Sequence, residues 1–219
     1  MASKFDGKRA RENMWVTHQN LARAKGGRPP PQFQGIGRVK TAGAAQTNGK
    51  PKPMAVEAAE LVEKLRLEPH PEGGFFRETH RGSLVLEGLP HGAPRAAHTA
   101  IFFLLPTRVF SALHRVKSDE VWHFYDGDPL ELHTIDDQGH RVELIGRDLG
   151  AGQLPQRVVP AGVWQAAIPS KGSRGFTLCG CTVAPGFDFA DFEMPGRAAL
   201  LERFPDCSDV VKRFTRPST

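Results

Sequence analysis

Apolar positions follow a helical spacing once and a strand spacing for most of the chain. From Ala55 to Leu67 they recur at Val56, Ala59, Leu61, Val62 and Leu65, the repeat of one amphipathic helix, and Pro69 and Pro71 end it. After Gly74 the pattern changes to short alternating or wholly apolar runs separated by Gly, Pro and Asp. These runs are Phe75–His80, His98–Leu105, Ser111–Val116, Glu120–Tyr125, Leu130–Ile135, Arg141–Ile145, Gln156–Val159, Val163–Ile168 and Thr177–Val183. Their even spacing predicts an all-β sandwich or barrel. Two further segments, Arg197–Arg203 and Ser208–Phe214, read as short helices packed outside it. The longest apolar run, Ala100–Leu105, is β-branched and aromatic in flavour and stops at Pro106. It falls far short of the ~18 residues that span a bilayer, so no transmembrane segment is expected.

Charge changes the picture of the first fifty-three residues, 1–53. They hold six Lys and five Arg against Asp6 and Glu12, a net +9, whereas the remainder holds 18 basic and 22 acidic residues, a net −4. Residues 24–53 are dense in Gly, Pro, Ala, Gln and Lys, with Pro29, Pro30 and Pro31 in series. Such a stretch buries too little surface to offset its ordering entropy, which predicts a disordered basic arm before a domain spanning 54–219. Lys8 to Lys25 would form a short helix there, on a partner if at all. Asp6, Glu12 and the many Gly and Pro argue against a mitochondrial targeting segment. A cationic arm is drawn to polyanions, so an acidic cytoskeletal polymer such as a microtubule, RNA or an anionic membrane surface are its expected partners. Cys179, Cys181 and Cys207 have neither disulfide-framework nor metal-site spacing. They suggest a reducing, cytoplasmic setting, with Cys179 and Cys181 as small apolar residues on one strand face.

Several phrases carry a family resemblance: His70-Pro-Glu-Gly-Gly74, Ser111-Ala-Leu-His-Arg115, Ser118-Asp-Glu-Val-Trp-His123, Tyr125-Asp-Gly-Asp128, Val159-Pro-Ala-Gly-Val-Trp-Gln165 and Pro185-Gly-Phe-Asp-Phe-Ala-Asp-Phe192. From about Leu61 to Phe204 the chain resembles the RmlC-like cupins, in an uncharacterised branch known as a domain of unknown function. The resemblance implies a double-stranded β-helix, the cupin jelly-roll barrel, that dimerises. In the cupin pattern a first motif reads H-x-H, three spacers, E, six spacers, G, and a second reads P-x-G, two spacers, H. His114, Glu120 and Gly127 fall on the first, and Pro160, Gly162 and Gln165 on the second. Val116 and Gln165 stand where two of the family's histidines would be.

Strand alternation turns His114 and Val116 to one face, and likewise Glu120, Trp122 and Phe124. With Gln165 these make a lumen of one imidazole, one carboxylate, one amide and two aromatics. His114 and Glu120 are the candidate acid–base pair, because a partly desolvated carboxylate beside an imidazole holds either group near neutrality. Ser111, Trp122, Phe124, Gln165, His98 and Arg77 are expected to line the pocket, with Glu72 and Thr99 at its mouth. His114, Glu120 and Gln165 would hold a divalent metal only weakly, since an amide oxygen is a poorer ligand than imidazole. RmlC-like enzymes epimerise nucleotide-linked keto sugars with a histidine base and a tyrosine acid. That implies an isomerase- or epimerase-like role for His114, while Tyr125, the sole tyrosine, alternates away from the lumen.

Trp164 is expected in the core or at an interface, and Asp188 and Asp191 in a turn or lid. His80, His91, His133 and His140 fall at turns or outward positions and carry no assigned role. Two functions follow from different classes. One is a barrel acting on a small sugar- or acid-like ligand. The other is a non-enzymatic component tied by its arm into a large assembly, such as a ciliary axoneme or a ribonucleoprotein.

Overall fold

A computed structural model describes residues 54–217. The expectations for residues 1–53, namely a basic arm, a helix over Lys8 to Lys25 and an acidic partner, lie outside the described residues. Helix α1 (Val56–Lys64) leads into strands β1 (Glu68–Pro69), β2 (Phe75–Arg81), β3 (Val85–Leu86), β4 (Arg95–Ala96), β5 (Thr99–Pro106) and β6 (Ser111–Val116). Then come β7 (Asp119–Gly127), β8 (Leu130–Asp136), β9 (Gly139–Ile145), β10 (Gln156–Val159), β11 (Trp164–Pro169), β12 (Phe176–Ala184) and β13 (Phe192–Glu193). Helices α2 (Arg197–Arg203) and α3 (Ser208–Arg213) follow. All nine runs read from the sequence are strands; the other four strands are two-residue pieces without any periodicity to reveal them.

A six-stranded sheet runs β1-β2-β5-β12-β7-β10, a five-stranded one β13-β6-β11-β8-β9, and β3 pairs with β4. Their inner faces meet in one apolar cluster. Phe103, Leu105, Trp122, Cys179 and Cys181 come from the larger sheet, and Leu130, Leu132, Ile145 and Ala167 from the smaller. Burying side chains of this size stabilises by about 1.5–3 kcal/mol each. Cys179 and Cys181 therefore do share one interior face, and Cys179 donates to the Phe103 carbonyl at 3.3 Å.

Each sheet also buries part of its outer face. Helix α1 covers the larger sheet through Ala58, Leu61, Val62 and Leu65 over Leu104 and Phe176. This stripe is rotated from the expected one: Val56 is 76% exposed and Ala59 is exposed, while Ala58 is fully buried. Helices α2 and α3 cover the smaller sheet, with Leu200, Val211 and Phe214 on Leu113, Ile135 and Trp164. Among the described residues no helix is long and apolar enough to cross a membrane.

Candidate functional site

The site is built on an irregularity in β6. Gln165 pairs with His114 and Ala167 with Ser111, so three steps along β6 oppose two along β11. This bulge turns both Ser111 and His114 inward, which strict alternation over three steps forbids. The ladder interrupted at Ala112 and Leu113 frees two N–H groups. Ala112 donates to the Glu72 carbonyl (3.0 Å) and Leu113 to the Phe214 carbonyl (2.9 Å). The Ala112 carbonyl accepts from His114 Nδ1 at 2.7 Å. A carbonyl accepts only, so Nδ1 carries the hydrogen and Nε2 is the inward-facing nitrogen.

Glu72 reaches the same place from the loop before β2. Its Oε1 lies 3.4 Å from His114 Nε2, and its Oε2 accepts from the Ser111 hydroxyl at 2.6 Å. His70 stands beside it, accepting the Glu72 N–H at Nδ1 (3.3 Å) and meeting Phe76 edge-on. The loop fits because of Gly73 and Gly74. Both have positive φ, and a Cβ at Gly74 would lie 2.7 Å from Leu105 and press on the Leu104 carbonyl.

The third arm is Glu120 on β7. Trp122 Nε1 donates to Gln165 Oε1 (2.9 Å) across the two sheets, and Gln165 Nε2 donates to Glu120 Oε2 (2.6 Å). Phe192 from β13 packs its ring 5.4 Å from the His114 ring. Phe192 is held in place by the buried bidentate pair of Arg95 with Asp191 (2.6 and 2.9 Å).

Burial dominates the electrostatics. It raises the Glu72 carboxyl, opposed by His70, by the Ser111 hydrogen bond and by Arg216. It raises the Glu120 carboxyl, opposed by His114 and reinforced by the like charge of Glu72. It lowers the His114 imidazole, opposed by Glu120 and the Ala112 bond. It also lowers His70, opposed by Glu72. Acids weakened and bases weakened toward each other are groups able to exchange a proton at little cost.

The structure brings together His114, Glu120, Ser111, Trp122 and Gln165, all buried, with Phe124 packed at the margin of the interior cluster. It does not bring in Arg77 or His98. Arg77 sits over the Phe102 ring on the outer face of the larger sheet, because Phe76 takes the inward position; His98 is exposed and stacked on His80. Glu72 is interior rather than at a mouth. Gln165 is no metal donor here: the indole can only donate, so it claims the amide oxygen and leaves the NH2 toward Glu120. Among the described residues, no three His, Cys, Asp or Glu side chains are grouped to hold a metal ion.

Tyr125 points outward, as alternation requires, and contacts Phe102. Trp164 lies under α2 and α3. Asp188 caps the turn at Ala190, and Asp191 pairs with Arg95. His133 is buried, with its ring 4.5 Å from that of Phe214. His70 also belongs to the site, and its signals in the sequence are its place at the head of the His70-Pro-Glu-Gly-Gly74 phrase and two residues before Glu72.

A jelly roll of two antiparallel sheets, its interior carrying the imidazole and carboxyl groups of the first motif and the amide of the second, defines a protein of the double-stranded β-helix class. The chain belongs to the family described as Cupin superfamily (DUF985), whose sequence model matches residues 59–195. It is similar to an uncharacterized protein of Saccharomyces cerevisiae, 28% identical over 144 residues, or 60% of this chain and 72% of the yeast protein. Among solved structures, a hypothetical protein from Leishmania major is 35% identical with a TM-score of 0.69, covering 73% of this chain and 99% of that one. A protein of Shewanella oneidensis is 35% identical with a TM-score of 0.66, covering 76% and 100%.

Proposed function

We propose that the barrel interior is an acid–base site for a small sugar- or acid-like ligand, running an isomerase- or epimerase-like proton transfer beside a carbonyl. The observation that carries this reading is the 3.4 Å approach of His114 Nε2 to Glu72 Oε1, with His114 Nδ1 committed to the Ala112 carbonyl. In this mechanism Nε2 takes the proton from the carbon next to the carbonyl, and the electron pair moves to the carbonyl oxygen. Glu72, in its acid form, donates its proton toward that oxygen, a role that the outward Tyr125 leaves vacant. Return of a proton to the carbon completes the isomerisation or inversion.

A groove in the barrel wall supports the reading. A groove of about 570 Å³ lies along β8, β9 and β10, lined by Thr134, Arg141, Glu143, Val158 and Val163. Register places Thr134 beside Gln165 and Gln165 beside His114. The groove thus ends one strand from the amide that touches Glu120.

The test is proton NMR of the full chain in D2O with a panel of aldoses, ketoses and 2-hydroxy acids. Solvent deuterium is expected at the carbon next to the carbonyl of one class. His114→Gln should slow that exchange at least ~100-fold while the near-UV circular dichroism is kept. A panel that neither binds nor exchanges, or exchange at full rate in His114→Gln, overturns the reading.

A further inference from the structure

We propose that the segment Phe214–Arg216 completes the interior site, with Arg216 as the positioning residue that holds Glu72 against His114. Arg216 Nη1 donates to the Pro71 carbonyl (3.0 Å) and Nη2 to the Glu72 carbonyl (2.8 Å). The Glu72 carbonyl also accepts the Ala112 N–H, and the Phe214 carbonyl accepts the Leu113 N–H. One short segment therefore grips both halves of the site: the loop that carries Glu72 and the bulge that aims His114.

The segment is itself anchored. Phe214 is buried and meets Phe110 edge-on. Thr215 Oγ1 donates to the Val211 carbonyl and accepts from Arg197 Nε at 2.9 Å. Arg197 Nη2 also reaches the Lys212 carbonyl at 3.1 Å. A planar guanidinium suits the task, since its fork satisfies two adjacent carbonyls from one side chain, which an ammonium on a flexible stem does with less fixed geometry.

The purpose assigned to this clamp rests on the acid–base reading, but its test needs no ligand. The full chain, labelled with 15N and 13C, would be compared with Arg216→Ala and Arg216→Lys. Three changes are expected in Arg216→Ala: roughly five- to tenfold faster amide exchange at Ala112, a Glu72 carboxyl midpoint displaced upward by about half a unit or more, and a shifted His114 imidazole signal. Arg216→Lys should return the Glu72 midpoint most of the way while Ala112 exchange stays faster than in the parent. Unchanged Glu72 titration and Ala112 exchange in Arg216→Ala overturn the proposal, as does a Lys variant with the same midpoint as the Ala variant. If Arg216→Ala does not fold, Arg216→Gln replaces it in the same comparison. Displaced signals together with a barren deuterium panel remove the catalytic reading alone; normal signals with an active panel remove the clamp alone.

Discussion

Trp122 and Gln165 hold each other across the barrel: the indole N–H of one sheet donates to the amide oxygen of the other at 2.9 Å. Because the indole lacks an acceptor, this bond also decides what Gln165 shows to Glu120. Trp122→Phe should leave a buried amide oxygen unpaired and some space unfilled, costing about 2–4 kcal/mol by urea unfolding. Gln165→Leu in the same background should cost less than it does alone, because the unpaired oxygen is then gone. Additive losses would show that the bond carries no coupling.

The Glu72 carboxyl sits above its ordinary range when folded, so its contribution favours the fold below the unfolded pKa of 4.5 and is lost as pH rises through the folded value. Glu72→Gln keeps an oxygen for Ser111 and removes the ionisation. At neutral pH the variant should gain on the order of 1 kcal/mol, and its melting temperature should fall less between about pH 5 and 8 than that of the parent. Melting curves across that range decide it, and a variant less stable at every pH would contradict the expectation.

His133 gives the opposite slope. Burial lowers its imidazole to about 4, with the Glu131 bond opposing and Arg213 and His140 adding to the effect. A depressed imidazole leaves the unfolded chain binding the extra proton between about pH 6.5 and 4, so stability is full above that window and falls as pH drops through it. Each such proton contributes about 1.4 kcal/mol per pH unit. His133→Gln should flatten the acid limb by up to that slope in denaturant titrations at about pH 6.5, 5.5 and 4.5. His70 and His114 keep the remainder of the limb, since both are also lowered by burial.

Arg95 and Asp191 form a pair with side chains only 5% and 4% exposed. Removing one partner strands a buried charge, so Asp191→Asn should cost about 3–5 kcal/mol. Arg95→Met combined with Asp191→Leu should cost less than either single change. A double variant as unstable as the sum of the singles would mean that neighbours such as Lys117, 3.5 Å from Asp191, carry the charge instead.

Strand runs are legible in the sequence because alternation reports burial directly: Trp122 and Phe124 turn inward and Tyr125 outward as read. His114, Glu120 and Gln165 are legible from motif spacing alone. Arg77 and His98 mislead because a charged residue near a barrel rim reads the same on either face of its strand. Glu72, His70 and Arg216 lie in irregular segments, where no period relates sequence position to direction, and their meeting depends on contacts between distant parts of the chain. The rotated stripe of α1 has a simpler cause: the neighbours Ala58 and Ala59 look alike to a hydrophobicity pattern, and only the surface beneath distinguishes them.

The extra residue in β6 also bears on how relatives could diverge. Loss of a single codon at Ala112 or Leu113 would set Ser111 and His114 two positions apart, still on one side of a regular strand, and the spacing from His114 to Glu120 and Gly127 would survive. One of the two amide tethers would be gone with it, either that to the Glu72 loop or that to the Phe214 segment. Descendants carrying such a gap would still match the histidine, glutamate and glycine spacing of the first motif while their centre had come loose from the parts of the chain that brace it.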